Sequence, residues 1–535
     1  MHKKNTQGTI MGRLRWLAMG LLVAAVGVQP ASAQTAEDAI RFTDRSPATG
    51  VRMMGMAGAG IVGVADYSAL FSNPAGLGFF RSSSASGALQ SVYTTDESFY
   101  STPGNESFLD SDATSTQFGN LAYVYRAPTR RGSFVIAAAF NQINTYEREL
   151  RFEGNNSTST ISTSFLPFDG EYGLTNSDEL DFLDDLPFAA FNGGFFDYFP
   201  DRLPDYPFLE AVVPGTTIQQ SGTVTEEGRM SELSFGGALE AAPRVMVGLS
   251  ANIAFGTYEF NSLFAEDDIF DENGLADYSV LLDDGTLFEG FDFLEYEQRL
   301  QSDLLGVNLR LGLSAQAASN LRVGLTLETP TYYTVNEDYG ASYLTGFDDG
   351  NTLSYGDDFD DVGNGEFEYE IQTPWRLGVG VGFNAENVFV TGDVEYVDWS
   401  QLELDAETDR SFFADLNRGI EEAYEPVINT RLGIEYRLGD LSLRGGFAYR
   451  PDPLDTAPLR SDGSELERDK TFFSAGFGYR FQRQFQVDFG WMQGRFDSAY
   501  SAYPEDSVGA RQDDILLIDE EVVQNQFSVG VSFFF

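Results

Sequence analysis

From about residue 83 onwards, apolar and polar side chains alternate along the chain. In the stretch 244–256 every odd-numbered position is apolar, whereas the even-numbered positions carry Arg, Met, Gly, Ser, Asn and Ala. The same period recurs at 321–328, 375–383, 441–449 and 484–491. A period of two is that of a β-strand with one apolar and one polar face. The polar face is rich in Gly, Ser, Asn, Gln, Arg and Asp, and the apolar face ends in aromatic residues. This distribution favours a barrel with lipid outside and a polar lumen over a soluble sandwich.

Fourteen strands are predicted. Their approximate ranges are 83–94, 118–127, 132–145, 228–242, 244–260, 296–317, 320–336, 366–384, 387–399, 426–438, 441–450, 468–481, 484–497 and 521–535. Tight turns such as Gly439-Asp440 alternate with long, acidic and aromatic connections at 95–117, 146–227, 261–295, 337–365, 400–425, 451–467 and 498–520. Loops of this length are uncommon in compact soluble domains, whereas seven of them on one side are typical of an outer-membrane barrel. The predicted fold class is therefore all-β, a 14-stranded antiparallel transmembrane β-barrel.

Both ends of the chain agree with export to the outer membrane. Residues 1–33 have the three parts of a signal peptide: a basic leader, an apolar run at 16–28, and Ala31-Ser32-Ala33 before the cleavage site. The apolar run is too short for a membrane anchor, which takes about 20 residues. The chain alternates up to its last residue, Phe535, and this ending resembles the signal by which the barrel-assembly machinery recognises outer-membrane proteins. The alternative is an ordinary edge strand, although three terminal phenylalanines in water would invite aggregation.

Composition excludes most enzyme classes. The 535 residues include 33 Lys and Arg, 82 Asp and Glu, one His and no Cys, for a net charge of −49. The single histidine, His2, lies in the predicted signal peptide. These counts exclude His- or Cys-based nucleophile pairs and His/Cys metal sites, so we predict no enzyme, no cofactor and no metal. An acidic surface also makes nucleic acid an unfavourable partner.

The acidic loops leave two interpretations open. Asp-rich stretches at 347–351 and 357–365 offer oxygen ligands for calcium, but neither has the spacing of an EF-hand loop. The acid excess and the scarcity of Lys run through the whole chain, and this favours adaptation to high salt, where self-repulsion is screened. Pairs of carboxylates suited to hydrolysis are expected by chance in so acidic a chain.

Residues 34–82 precede the barrel and are rich in Gly and Ala. The run Gly55-Met56-Ala57-Gly58-Ala59-Gly60, then Ala65-Asp66, then Asn73-Pro74-Ala75-Gly76-Leu77 closely resembles the N-terminal plug of the FadL/TodX family of outer-membrane transporters. Stretches 373–378 with 392–400, and 430–436 with 443–446, are similar to the late strands of that family. A dinucleotide-binding loop would need a third glycine and a βαβ context that are missing here. A flexible tail is the remaining alternative.

The resemblance implies a barrel whose segment 34–82, hereafter the hatch, folds into the lumen. It implies passive uptake of a hydrophobic small molecule, a long-chain fatty acid or an aromatic hydrocarbon, with lateral exit through the barrel wall into outer-membrane lipid. Asn73, Pro74, Ala75 and Gly76 match the motif to which the family assigns conformational control. The wall opening is expected in an early strand, where Asn141 and Asn144 interrupt the third strand.

The loop 146–227 contains a dense group of aromatic residues. We predict a ligand-capture site on Phe188, Phe191, Phe195 and Phe196, because exposed apolar clusters of this size usually mark contact surfaces. A self-packing core of a long loop is an equal alternative. For the whole protein, two alternatives to uptake stay open: an accessory component of a protein-secretion system, and a structural or adhesive outer-membrane protein.

Overall fold

The computed structural model describes residues 36–167, 172–174, 180–183, 185–199, 207–212, 215–269, 278–281, 286–356, 361–406, 408, 410–482, 484–503 and 516–535. The predicted signal peptide at 1–33 lies outside the described residues. So do parts of the aromatic loop and the acidic residues at 357, 358 and 360. Within the described residues, no helix has the length and apolar character that crossing a membrane requires.

Fourteen antiparallel strands form one sheet. They are β1 Ser84–Thr102, β2 Asn105–Arg126, β3 Phe134–Thr145 continued by Arg148–Asn156, β4 Ile218–Ala242, β5 Val245–Asp267, β6 Phe291–Ala315, β7 Leu321–Glu328 with Tyr332–Phe347, β8 Gly365–Gln372 with Arg376–Ala385, β9 Val388–Asp398, β10 Pro426–Leu438, β11 Leu441–Arg450, β12 Lys470–Phe481, β13 Phe485–Ser501 and β14 Leu517–Phe534. Each strand pairs with the next, and β14 pairs with β1 from Ser84↔Phe534 to Tyr100↔Ile518, which closes the barrel. The predicted count of fourteen is confirmed.

Shorter elements lie in the hatch and in the connections between strands. The hatch contains helices α1 Ala36–Thr43, α2 Val51–Met54 and α3 Ala69–Ser72 and the 3-10 helix Pro74–Phe79. The connections contain Ile161–Phe165 and Trp399–Gln401 as 3-10 helices, α4 Asp185–Asn192, α5 Arg410–Ala423, and the short strands Tyr172–Leu174, Leu180–Phe182, Phe196–Tyr198, Phe208–Glu210, Ser279–Leu281, Leu287–Glu289, Thr352–Tyr355 and Glu403–Asp405.

The burial pattern of the strands is the reverse of that in a soluble protein. On β5 the side chains of Val247 and Leu249 are 40% and 48% exposed, whereas Ser250 and Asn252 point inward and are buried. The continuous apolar outer face ends at Phe255, after which the next outward residues are Thr257, Glu259 and Asn261. The nine residues 247–255 rise about 3.3 Å each along a strand that is tilted to the barrel axis, and this length matches an apolar band about 25 Å tall. The prediction of a lipid-facing outer surface and a polar lumen is confirmed.

The prediction of a long first loop at 95–117 is wrong. Strand β1 continues to Thr102 and β2 begins at Asn105, so the connection is a tight turn at 103–104. The third strand likewise continues as Arg148–Asn156, and β4 begins at Ile218, ten residues before its predicted start. These stretches rise beyond the apolar band, where neither face contacts lipid, so the alternation of apolar and polar residues that predicted the other strands is absent there.

The described part of the hatch fills the lumen, and glycines on the inner face of the wall leave space for it. A Cβ on Gly248 would lie 2.3 Å from the Pro74 carbonyl carbon, and one on Gly446 would lie 2.3 Å from that of Met56. A Cβ on Gly324 would lie 1.9 Å from the Ile61 carbonyl oxygen. The inward-facing glycines of the strand pattern therefore leave room for the hatch backbone.

Candidate functional site

Asn73 links the hatch to the barrel wall. Its side chain is fully buried, and its Nδ2 donates to the carbonyl oxygens of Ile61 at 2.6 Å, Leu313 at 3.1 Å and Leu325 at 3.2 Å. Its Oδ1 accepts from the Ala75 backbone N–H at 3.0 Å, which caps the 3-10 helix that follows. One amide thus holds two parts of the hatch and two wall strands together.

The residues after Asn73 make a compact turn against the wall. Pro74 occupies the first helical position, where its missing N–H leaves no donor unsatisfied. Gly76 has no room for a side chain, because a Cβ there would lie 2.7 Å from the Val64 carbonyl oxygen. Pro74, Ala75 and Gly76 are all buried. The structure thus places the four predicted motif residues together inside the barrel.

Buried ion pairs add to this attachment. Arg45 Nη1 lies 2.6 Å from Glu328 Oε1, and Arg52 forms a bidentate pair with Glu435 at 2.9 and 3.1 Å. Asp393 on β9 accepts from the backbone N–H groups of Gly60 and Ile61 at 2.5 and 2.8 Å. These inward-facing wall charges were not among the predicted site residues.

A cavity of about 80 Å³ lies between the hatch and the wall. Its lining combines hatch residues 45–49 with wall residues of alternating charge, among them Arg310, Glu328, Arg376 and Glu395. Ile143 on β3 also lines it, so the cavity reaches the wall beside the predicted opening. Ligand sites for drug-sized molecules are about 300–1,000 Å³, so in this conformation the hatch leaves too little space for a whole long-chain ligand.

The ladder between β2 and β3 ends early. It runs from Arg126↔Val135 to Asn120↔Asn141, and beyond that pair the described residues of β3 pair only with β4. We call the unpaired stretch between β2 residues 111–119 and β3 residues 142–147 the window. It begins at the outer edge of the apolar band, where Phe140 lies 6.1 Å from Phe118 and 6.3 Å from Phe255 between ring centroids.

The two asparagines predicted for the wall opening both lie at the window. Asn141 is fully buried in the last ladder pair, and neither its Oδ1 nor its Nδ2 has a hydrogen-bond partner. Asn144 is half-buried at an irregularity where the register against β4 shifts. The side-chain oxygens of Asn120 and Gln142 are also buried without partners. Buried polar atoms without partners are uncommon in folded proteins. Others lie elsewhere in the described barrel, but these four lie together at the break in the wall.

Helix α1 of the hatch closes the window from inside. The Phe42 ring lies 5.4 Å from Tyr258 and 6.5 Å from Tyr146, both in edge-to-face contacts. The Ser46 backbone N–H donates to the Ile143 carbonyl oxygen at 2.8 Å. The start of the hatch thus lies between the cavity and the window.

The four predicted capture residues divide into two groups. Phe195 and Phe196 are buried in a large aromatic cluster, where Phe195 lies 5.4 Å from Tyr343 between ring centroids. Phe188 and Phe191 are only partly buried at the edge of this cluster. The described residues of the loop therefore form a packed cover over the outer end of the lumen, and Phe188 and Phe191 are among its partly exposed aromatic side chains.

One carboxyl group of this cover has a shifted pKa. Burial raises the pKa of the Asp197 carboxyl to about 6, although its oxygen accepts from the Tyr198 backbone N–H. Among the described residues, no group of three or more Asp, Glu or His side chains is arranged to hold a metal ion.

Comparison with known proteins decides the family. The family model described as "Outer membrane protein transport protein (OMPP1/FadL/TodX)" matches residues 230–535, more than half of the chain. The chain belongs to this family. It is therefore an outer-membrane barrel of a family of transport proteins. No protein of curated function matches the sequence.

Two solved structures with TM-scores of at least 0.50 share the fold. The crystal structure of a Pseudomonas aeruginosa FadL homologue is 12% identical and has a TM-score of 0.51, covering 91% of this chain and 99% of that one. A deltaS2 mutant of TodX, described as a monoaromatic hydrocarbon channel, is 14% identical with a TM-score of 0.50, covering 92% and 100%. The Pseudomonas putida toluene transporter TodX is 14% identical with a TM-score of 0.48, covering 90% and 96%.

Proposed function

We propose that this protein is a passive outer-membrane channel for a hydrophobic small molecule. In this proposal the ligand is captured among the outer loops, enters the lumen beside the hatch, and leaves sideways through the window into the membrane. The observation that supports this route most strongly is the position of the window. It lies at the outer edge of the apolar band, next to a lumen cavity that Ile143 lines.

The energetics favour lateral exit over delivery to the periplasm. An apolar molecule gains about 0.8 kcal/mol for each methylene group that re-enters hydrocarbon. Release into lipid therefore provides the driving force, and no energy source is required. The family is one of transport proteins, and the similar structures include a toluene transporter and a monoaromatic hydrocarbon channel, which favours transport over a secretion-accessory role.

The hatch is the gate in this mechanism. Asn73 and the ion pair between Arg45 and Glu328 keep it in the closed position described above. A small displacement of residues 42–46 would join the cavity to the window, because these residues separate the two. Gating by an element with two packed positions is an established form of conformational control.

Capture would begin on the outer cover. Phe188 lies 5.9 Å from Tyr355 between ring centroids and is partly exposed, as is Phe191. A hydrophobic ligand that binds there replaces water on aromatic surface, which is favourable at about 25 cal/mol per Å². Phe195 and Phe196 support this surface from beneath.

A photo-reactive ligand tests the route. Folded protein in lipid nanodiscs is incubated with a diazirine-bearing long-chain fatty acid and, separately, with a diazirine-bearing alkylbenzene, then irradiated and mapped by peptide mass spectrometry. We expect labels on residues 141–147 at the window and on 45–49 at the cavity, competed away by unlabelled ligand. Labels confined to the outer lipid-facing side chains, and unaffected by competitor, would contradict the proposal.

A further inference from the structure

Strand β3 bends at the window without leaving β4. Its two segments pair with β4 as Asn144↔Met230 and Arg148↔Glu226, in the same register, on either side of a short break in the ladder opposite Gly228. Gly228 has φ +129°, and a Cβ there would lie 2.2 Å from the Thr257 carbonyl oxygen, so only glycine fits. The Tyr146 N–H donates to the Gly228 carbonyl oxygen at 3.1 Å, which fixes the bend.

The bend leaves two strand edges that are suited to pair with each other. In the described sheet, β2 residues 105–119 have no ladder partner on the side of β3. Side chains hold the outer edge of the segment Arg148–Asn156 instead. The hydroxyl groups of Ser98, Ser111 and Thr102 donate to carbonyl oxygens of this segment at 2.5, 2.5 and 2.7 Å. Unpaired strand edges readily add a partner strand. An arrangement in which these two edges pair and close the wall therefore competes with the bent arrangement of β3.

Arg148 lies where the bent segment begins and contacts three other strands. Its Nε donates to Asp96 Oδ2 on β1 at 2.8 Å, and its Nη1 donates to Glu226 Oε1 on β4 at 3.1 Å. Its Nη2 meets Glu520 on β14. The side chains of Asp96 and Glu520 are 1% and 0% exposed, and that of Arg148 is 21% exposed. One guanidinium thus joins three carboxylates from strands on both sides of the window.

We propose that Arg148 is the positioning residue that keeps β3 bent inward and so holds the window open. This inference rests on the proposed function, because it concerns the same exit. The physical reason is charge balance. With Arg148 in place, Asp96 and Glu520 pair with its positive charge, and Glu226 pairs both with it and, at 3.9 Å, with Arg41. Without Arg148, these three nearly buried carboxylates lose the cation that they share and repel one another. Removal of one partner from a buried ion pair leaves an uncompensated charge and is strongly destabilising.

The geometry of the three contacts also favours arginine over lysine at position 148. A guanidinium has five N–H donors in a planar fork, whereas a lysine ammonium is a compact point charge. Lysine at 148 would keep the charge and lose part of the three-way contact. We therefore expect Arg148→Lys to retain the bend partly and Arg148→Gln to lose it.

Disulfide trapping measures the bend without any ligand. Gln117 and Asn144 would face each other if the ladder that ends at Asn120↔Asn141 were continued by three residues. The chain contains no cysteine, so the pair Gln117→Cys with Asn144→Cys forms the only disulfide available. Its rate of formation under a fixed oxidant reports how often the wall closes. The barrel fold is checked by heat-modifiable migration in gels.

We expect Arg148→Gln to increase the rate of disulfide formation at least tenfold, and Arg148→Lys to increase it a few-fold. The control is Arg151→Gln on the same segment, since Arg151 pairs with Glu149 but is 60% exposed; it should leave the rate unchanged. Folded Arg148→Gln protein that forms the disulfide at the parent rate would overturn the proposal. If that variant does not fold, Arg148→Lys decides, and a parent rate there overturns it equally. Because no transport is measured, failure of the uptake route and failure of this inference give different results.

Discussion

Replacement of Asn73 by Ala tests whether the hatch is a gate. The variant removes all four hydrogen bonds of the Asn73 amide, in a site that is fully buried. Buried groups left without partners cost about 1–3 kcal/mol each. Because the wall carbonyls keep other contacts, we expect a net loss of about 3 kcal/mol for the closed hatch. At about 1.4 kcal/mol for each tenfold change, the population of displaced hatch rises roughly 100-fold.

The assay uses a single cysteine at Ser72, which lines the lumen cavity. Its labelling rate by a water-soluble maleimide reports displacement of the hatch, and uptake of a fluorescent fatty acid by intact cells reports passage. We expect both to increase in Asn73→Ala at unchanged surface expression. The control is Asn261→Ala, which alters an exposed side chain on the outer face of β5. Labelling and uptake at parent values would refute the gating role, and loss of barrel assembly would make the motif structural.

Two further predictions concern the hatch seat and the outer cover. Gly446→Ala should displace the hatch and increase labelling of Ser72→Cys, because the new Cβ would lie 2.3 Å from the Met56 carbonyl carbon. The control is the adjacent Gly445→Ala, whose Cβ would have its nearest neighbour 3.6 Å away and should leave labelling unchanged. Equal labelling in the two variants would contradict this prediction. Burial raises the pKa of Asp197 to about 6 from 3.8, so the folded cover binds this proton more tightly than the unfolded loop does. Its contribution to stability is complete below pH about 4 and is lost as pH rises through about 6. Hydrogen exchange of residues 195–199 should therefore become faster, relative to unfolded peptide, between pH 5 and 7, and Asp197→Asn should remove this change.

The barrel could be predicted from sequence because lipid acts on every strand in the same way. Each outward-facing residue within the apolar band must be apolar, so the alternation at 244–256 predicts the strand and its outer face. The hairpin β1–β2 above the band is free of this constraint, and Ser, Thr and Asp on both faces gave no periodic signal. The predicted strands are therefore shorter than the observed ones, most clearly where β1 ends at Thr102 and β2 begins at Asn105.

The candidate site was only partly predictable for a related reason. Asn141 could be predicted because it interrupts an apolar strand, and Asn73 because it lies in the motif Asn73-Pro74-Ala75-Gly76, which resembles the plug of the family. The cluster of Arg148 with Asp96 and Glu520 could not be predicted, because in a chain with 82 acidic residues a single inward carboxylate is not conspicuous. Their convergence depends on three strands that are far apart in sequence.

The proposed uptake route requires that ligand leaves through the window between β2 and β3. Uptake of a fluorescent long-chain fatty acid tests this step in cells that express the Gln117→Cys, Asn144→Cys protein, before and after oxidation. The control pair is Ala122→Cys with Ala139→Cys, across a ladder that is already formed. Oxidation of the window pair should reduce uptake to the level of cells without the protein, reductant should restore it, and oxidation of the control pair should have no effect. Undiminished uptake through a protein whose window is closed by a disulfide would contradict this route.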